Sequence, residues 1–202
     1  MPTEWEKMIA GEFYHALDPE LSALRRRARD LTRELNASSD AEGEGEWVGV
    51  GERRERLLRA LIPHAGEGLW IEPPFFCDYG RNITMGERVF LNFNCVILDV
   101  APVRLGDYAQ LGPGVHIYTA THPFSAEQRR AGLEYGKPVE LGADVWIGGG
   151  AIICPGVKVG SRSVIGAGSV VTRDVPEGVL AAGNPCRVIR QLTDDTRHKE
   201  RS

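Results

Sequence analysis

Aliphatic residues recur every six positions in the second half of the chain: Leu141, Ile147, Ile153, Val159, Ile165 and Val171. Four positions after each comes a small or β-branched residue, namely Val145, Ala151, Val157, Ser163, Ser169 and Val175. The same register runs through Met85, Leu91 and Ile97 and again through Leu105, Leu111 and Ile117, with a two-residue widening at Ala101-Pro102 between the triplets. Helix stripes repeat at three and four and half-buried strands at two, so neither explains a period of six. Short strands that each form one flat side of a coil do explain it. Three such sides close one turn of a triangular prism, with each aliphatic side chain stacked inward on its equivalent in the next turn. The spacing predicts a mainly β chain: a parallel β-helix of about four complete coils with partial ones at each end, held together by neighbour contacts.

Residues 1–62 follow a different rule. Thr3 and Glu6 have capping-box spacing, and Trp5, Met8, Ile9 and Phe13 form a helical stripe. Asp18-Pro19 opens a second helix whose face carries Leu21, Leu24, Ala28, Leu31 and Leu35. An acidic, glycine-bearing loop is expected over 36–46, then a third helix from Glu52 to Ile62. The prism follows as an N-terminal α-helical cap gives way to repeats over 69–190, with a tail at 191–202. A net charge of -4 provides no basic field for nucleic acid or an anionic membrane. Charged residues throughout positions 1–20 leave no signal-peptide core, and no run is long enough for a membrane span. Cys77, Cys95, Cys154 and Cys186 form no C-x-x-C pair and suit reduced thiols in a cytoplasmic protein.

The period breaks at T-A-T-H-P-F-S, residues 119–125, and resumes only at Leu141, so about residues 122–138 leave the prism. On this register Thr121 is the last inward position and His122 stands at the root of the extruded loop. Acyl transfer to a hydroxyl needs a general base, and an imidazole titrating near ~6.5 suits that task. A lone T-H-P would otherwise read as a surface turn. His116 lies six residues earlier, but His15, His64 and His198 fall outside the repeat, so three imidazoles do not gather for zinc and no metal is expected.

Longer strings resemble one family of hexapeptide-repeat acyltransferases, the maltose, galactoside and nodulation acetyltransferases. They are M-I-A-G-E-F-Y (8–14), E-P-P-F-F-C-D-Y-G (72–80), F-L-N-F-N-C-V-I-L-D-V-A-P-V (90–103), T-A-T-H-P (119–123), G-L-E-Y-G-K-P-V (132–139), D-V-W-I-G-G (144–149) and A-A-G-N-P-C-R-V-I-R (181–190). The resemblance implies a left-handed β-helix, although parallel crossovers are otherwise right-handed in ~98% of cases. It also implies acetyl-CoA as co-substrate, a sugar acceptor of the glucose or maltose type, and a homotrimer with sites between neighbouring prisms. By the same resemblance His122 is the catalytic base, with Asn92 beside the reacting groups. Asp99, Phe90, Glu134, Tyr14 and Asp18 are candidates for the acceptor pocket. Gly149, Ala167, Thr172, Arg173, Arg187 and Arg190 are candidates for coenzyme A.

Simpler readings stand beside these. Asn92 and Asn94 suit coil corners, Asp18 a helix cap, Phe90 packing, and Tyr14 and Glu134 structural or solvated positions. Arg187 and Arg190 suit a solvated face. Asp99-Val100 departs from the consecutive acidic residues of the galactoside branch, and Thr172-Arg173 replaces a Thr-Lys pair. Another acceptor (a galactoside or lipo-oligosaccharide) and a non-catalytic β-helical scaffold subunit are the alternative functions.

Overall fold

The structure is a computed structural model that describes residues 1–38 and 51–193. The expected acidic loop therefore lies outside the described residues from position 39, and the tail from position 194. The capping box forms as read: Thr3 accepts from Glu6 N and starts α1 (Glu4–Ala10). Gly11, at φ 74, ends that helix. Phe13 therefore falls outside α1 and packs edge-on against Tyr135. A two-residue strand, β1 (Tyr14–His15), leads to α2 (Pro19–Asn36), whose N-terminus is capped by Asp18. The third helix, α3 (Glu52–Leu61), completes the cap.

The prism has three walls of stacked strands. Wall one holds β2 (His64–Ala65), β5 (Ile83–Met85), β8 (Val103–Leu105), β13 (Val139–Leu141) and β16 (Lys158–Val159). Wall two holds β3 (Trp70–Ile71), β6 (Phe90–Leu91), β9 (Gln110–Leu111), β14 (Trp146–Ile147), β17 (Val164–Ile165) and β19 (Val179–Ala182). Wall three holds β4 (Phe75–Cys77), β7 (Cys95–Leu98), β10 (His116–Tyr118), β15 (Ile152–Ile153) and β18 (Val170–Val171). The stacked strands are parallel and their register matches the hexads: Leu91, Leu111, Ile147 and Ile165 lie one above another, each buried. Asn94 turns the corner between walls two and three at φ 60, the corner role its residue type suggests.

Five strands on walls one and three make five complete coils, one more than the period predicts, and wall two adds a sixth strand. The first coil keeps the spacing at Ala65, Ile71 and Cys77. Two of these are small because the cap helices fill that end, with Ala28, Leu35, Leu58 and Leu61 in the same core. The cap also closes the open strand edge, which would otherwise leave unpaired backbone groups. Asn36 Nδ2 donates to Phe75 O, Phe75 N donates to Asn36 Oδ1, and Arg54 Nη2 donates to Ile71 O. At the other end β20 (Arg187–Gln191) folds back antiparallel on β19. No helix among the described residues is long and apolar enough to cross a membrane.

Every lengthening of the repeat occurs at the corner between walls three and one. Eight residues separate Cys77 from Met85 and Ile97 from Leu105, and twenty-four separate Ile117 from Leu141. The long excursion is itself ordered as β11 (Ala120–Thr121), α4 (Ala126–Arg130) and β12 (Leu133–Gly136). β12 pairs antiparallel with β11 on one side and with β1 of the cap on the other.

Candidate active site

The widened corner is built on buried polar groups. Asp99 is fully buried, and its Oδ1 accepts from Asp78 N and Tyr79 N at 2.9 and 2.8 Å. Asn82 Nδ2 donates to Asp99 O. One coil above, fully buried Thr119 donates from Oγ1 to Leu98 O and accepts from Ala101 N. Its carbonyl accepts from Lys137 N, which ties the returning end of the excursion to the prism. The inward position is thus Thr119, and Thr121 is half-buried in β11. This corrects the register read from the sequence: hydrogen bonds between corners, which a count of six does not reveal, draw Thr119 in.

His122 follows β11 directly and is exposed. Just beyond it, Arg129 Nη1 donates to Pro123 O and Phe124 O, closing the loop on its own root. Thr121 pairs with Tyr135, the last pair of that ladder, and His122 is the residue that follows it. Residues directly opposite on antiparallel strands share a face. Glu134 in turn pairs with Tyr14, whose hydroxyl donates to Glu134 Oε2 at 2.9 Å. Burial, then the neighbouring carboxylate, raises the Tyr14 phenol well above its ordinary range, so it stays a donor.

A second set of groups lies at the corner between walls two and three. Asn92 is half-buried there, with Oδ1 accepting from Phe93 N at 2.7 Å. The column formed by Phe93, Pro113, Gly149 and Ala167 rises from it. Pro113 has no N–H and that of Phe93 is taken, whereas those of Gly149 and Ala167 have no acceptor among the described residues. Further along, Thr172 and Arg173 are exposed after β18, and Arg187 and Arg190 are exposed on β20.

Residues 7–66 match the maltose acetyltransferase hexapeptide capping motif, and residues 138–173 match the bacterial transferase hexapeptide repeats. The chain is 50% identical to nodulation protein L of Rhizobium meliloti, over 92% of this chain and 97% of that one. A crystal structure of a maltose O-acetyltransferase from Clostridium difficile 630 superposes with a TM-score of 0.88 at 46% identity, covering 96% of this chain and 99% of the other. A galactoside acetyltransferase in complex with coenzyme A superposes with a TM-score of 0.89 at 39% identity, covering 99% and 96%. The chain belongs to the maltose and galactoside O-acetyltransferase family.

Within this acetyltransferase the acceptor candidates separate. Glu134, on β12, accepts from the Tyr14 hydroxyl. Tyr14 is 1% exposed with its hydroxyl engaged, so it supports Glu134 from beneath and offers no surface to a sugar. Asp99 cannot touch a substrate either, because its carboxyl is enclosed in the corner. Its Oδ2 has no partner among the described residues, and burial pushes its pKa up to about 7. Asp18 caps α2, with Oδ1 accepting from Glu20 N and Leu21 N. Phe90 lies on wall two beside Trp70 and Gln110, away from the loop in this chain. The sequence reading passed over Asp78, which lines a cavity beside α2 and senses the charges of Arg25, Glu134 and Arg29. Among the described residues no three His, Cys, Asp or Glu side chains gather to hold a metal.

Proposed function

We propose that this acetyltransferase moves an acetyl group from acetyl-CoA to the primary hydroxyl of a glucosyl unit such as glucose or maltose, and that it works as a homotrimer. His122 takes the hydroxyl proton as the oxygen attacks the thioester carbonyl. The tetrahedral intermediate then expels the thiolate, which recovers a proton from the imidazolium. The observation that supports the reading is that β12 pairs both with β1 of the cap and with β11, which ends one residue before His122, so the root of the loop lies against the cap.

The free amides of Gly149 and Ala167 suit the amide-bearing arm of coenzyme A, with the Gly149 N–H also available to the developing oxyanion. Thr172, Arg173, Arg187 and Arg190 suit its phosphates. Asn92 orients the acceptor hydroxyl. It stands at the opposite edge of wall three from His122, and a six-residue crossing such as Val115–Thr121 spans roughly 20 Å. The two therefore meet on one substrate only when different copies supply them, which supports the trimer. Fully exposed Phe124, two residues past His122, suits contact with the neighbouring prism.

The test replaces His122 with alanine and follows thiol release with acetyl-CoA and maltose. Turnover is expected to fall by about 10²–10⁴-fold, the usual contribution of a positioned base. Near-normal turnover by an assembled, folded variant would sink the assignment.

A further inference from the structure

The chain leaves the prism and returns to it through a narrow neck, and one buried side chain closes that neck. Thr119 is fully buried and stands three residues before His122. Its Oγ1 donates to Leu98 O at 2.6 Å and accepts from Ala101 N at 2.9 Å, which fastens it to the widened corner of the coil below. Its carbonyl accepts from Lys137 N at 2.9 Å, where the excursion comes back. The returning strand is pressed onto the same corner: a Cβ on Gly136 would lie 2.7 Å from Ala101 Cβ, so only glycine permits the approach. Between Thr119 and His122 lie only Ala120 and Thr121, the two residues of β11, and β11 is the edge strand of its sheet.

We infer that Thr119 is a positioning residue for the transfer: its hydroxyl sets where β11 leaves the corner, and so where the His122 imidazole stands. The inference rests on the reading of His122 as the base and adds the group that locates it. Bulk is not what the position requires, since inward places in this prism are otherwise filled by aliphatic side chains and a valine has the same shape. Only a hydroxyl donates to one corner carbonyl and accepts from one corner N–H at once. Leu98 O keeps a second donor, Thr119 N at 3.0 Å, but Ala101 N has no other acceptor among the described residues. Ala101 is buried, so without Oγ1 its N–H is stranded and the corner must shift to satisfy it. The bonds from Arg129 to Pro123 O and Phe124 O do not replace this anchor. They lie within the loop and travel with it, whereas Thr119 ties the loop to the prism.

The experiment measures kcat and KM by thiol release with acetyl-CoA and maltose in Thr119→Val and Thr119→Ser, each made alone and in a His122→Ala background. Thr119→Val is expected to lower kcat about tenfold, within the ~10²-fold that a 1 Å misplacement costs, and to leave KM for acetyl-CoA unchanged. Thr119→Ser keeps the hydroxyl and should keep the wild-type kcat. A group that acts through His122 has nothing left to position once the imidazole is gone, so Thr119→Val should cost no further turnover in His122→Ala. An equal loss in both backgrounds is the mark of a purely structural role and overturns the inference, as does a wild-type kcat in Thr119→Val or a tenfold loss in Thr119→Ser. Should Thr119→Val not accumulate as folded protein, Thr119→Ala removes the same two bonds and is read by the same criteria. Near-normal turnover by His122→Ala overturns the base reading and the positioning with it. Any of the other adverse results, with His122→Ala impaired, overturns the positioning alone.

Discussion

Walls one and three of the prism share an inward pattern and differ outward. On wall one the outward row runs His64, Thr84, Arg104, Glu140 and Lys158, and Glu140 lies 3.6 Å from Arg104 and 3.2 Å from Lys158. On wall three the matching row runs Phe76, Val96, His116, Ile152 and Val170. The inward residues make the coil, and the outward ones decide what each wall meets. A charged ladder suits water, whereas an apolar row on the wall that separates Asn92 from His122 suits a second copy of the chain. Even the polar groups of wall three look to each other, since His116 Nδ1 and Tyr118 Oη lie 2.5 Å apart.

The contrast can be broken most severely by placing a charge in the apolar row. Ile152→Asp should abolish the proposed trimer, read as a monomer by light scattering, and abolish thiol release with it. Thr84→Asp on wall one should leave assembly unchanged. A trimer that survives Ile152→Asp would mean that wall three is not the joining surface.

A smaller effect is expected at the corner between these walls. The Asp99 carboxyl, pushed up to about 7 by burial, keeps a proton in the folded chain that the unfolded chain releases near ~4. Its contribution to stability therefore falls as pH rises from about 4 to about 7, and changes little above that. Asp99→Asn removes this dependence, so the variant should gain on the wild type as pH rises from about 4 to about 7 in thermal unfolding. A constant difference in Tm would show that the carboxyl does not titrate there.

The mildest change is Glu140→Ala on wall one. The pair partners are exposed, so the expected cost is under about 1 kcal/mol and shrinks with added salt. A larger loss in denaturant titration would show that the ladder does more than face water.

The period of six was enough to read the prism, its inward residues and the place of the excursion, because stacking demands the same residue size at the same interval. The first coil was harder to see. Ala65 and Cys77 keep the interval but are small where the cap helices fill the space. Thr119 escaped for another reason: its position follows from hydrogen bonds to Leu98 and Ala101 in the coil below, not from periodicity. At the candidate site, the break in the period singled out His122, and the family resemblance singled out Asn92, Gly149 and Ala167 as candidates. Whether Tyr14 and Asp99 were surface or support was not legible, since burial depends on which elements pack over them. Asp78 and Arg29 were invisible in sequence because only the docking of α2 on the first coil brings them together.

The repeat lengthens at one corner only, twice by two residues and once by a whole folded segment. Elsewhere an added residue would shift every strand stacked above it. At this corner the extra chain leaves sideways and the next wall restarts in register. The prism therefore has a single place where it can acquire new parts without being rebuilt. Chemistry in such a scaffold grows outward from that edge as buds grow from a node, while the stem keeps its pitch.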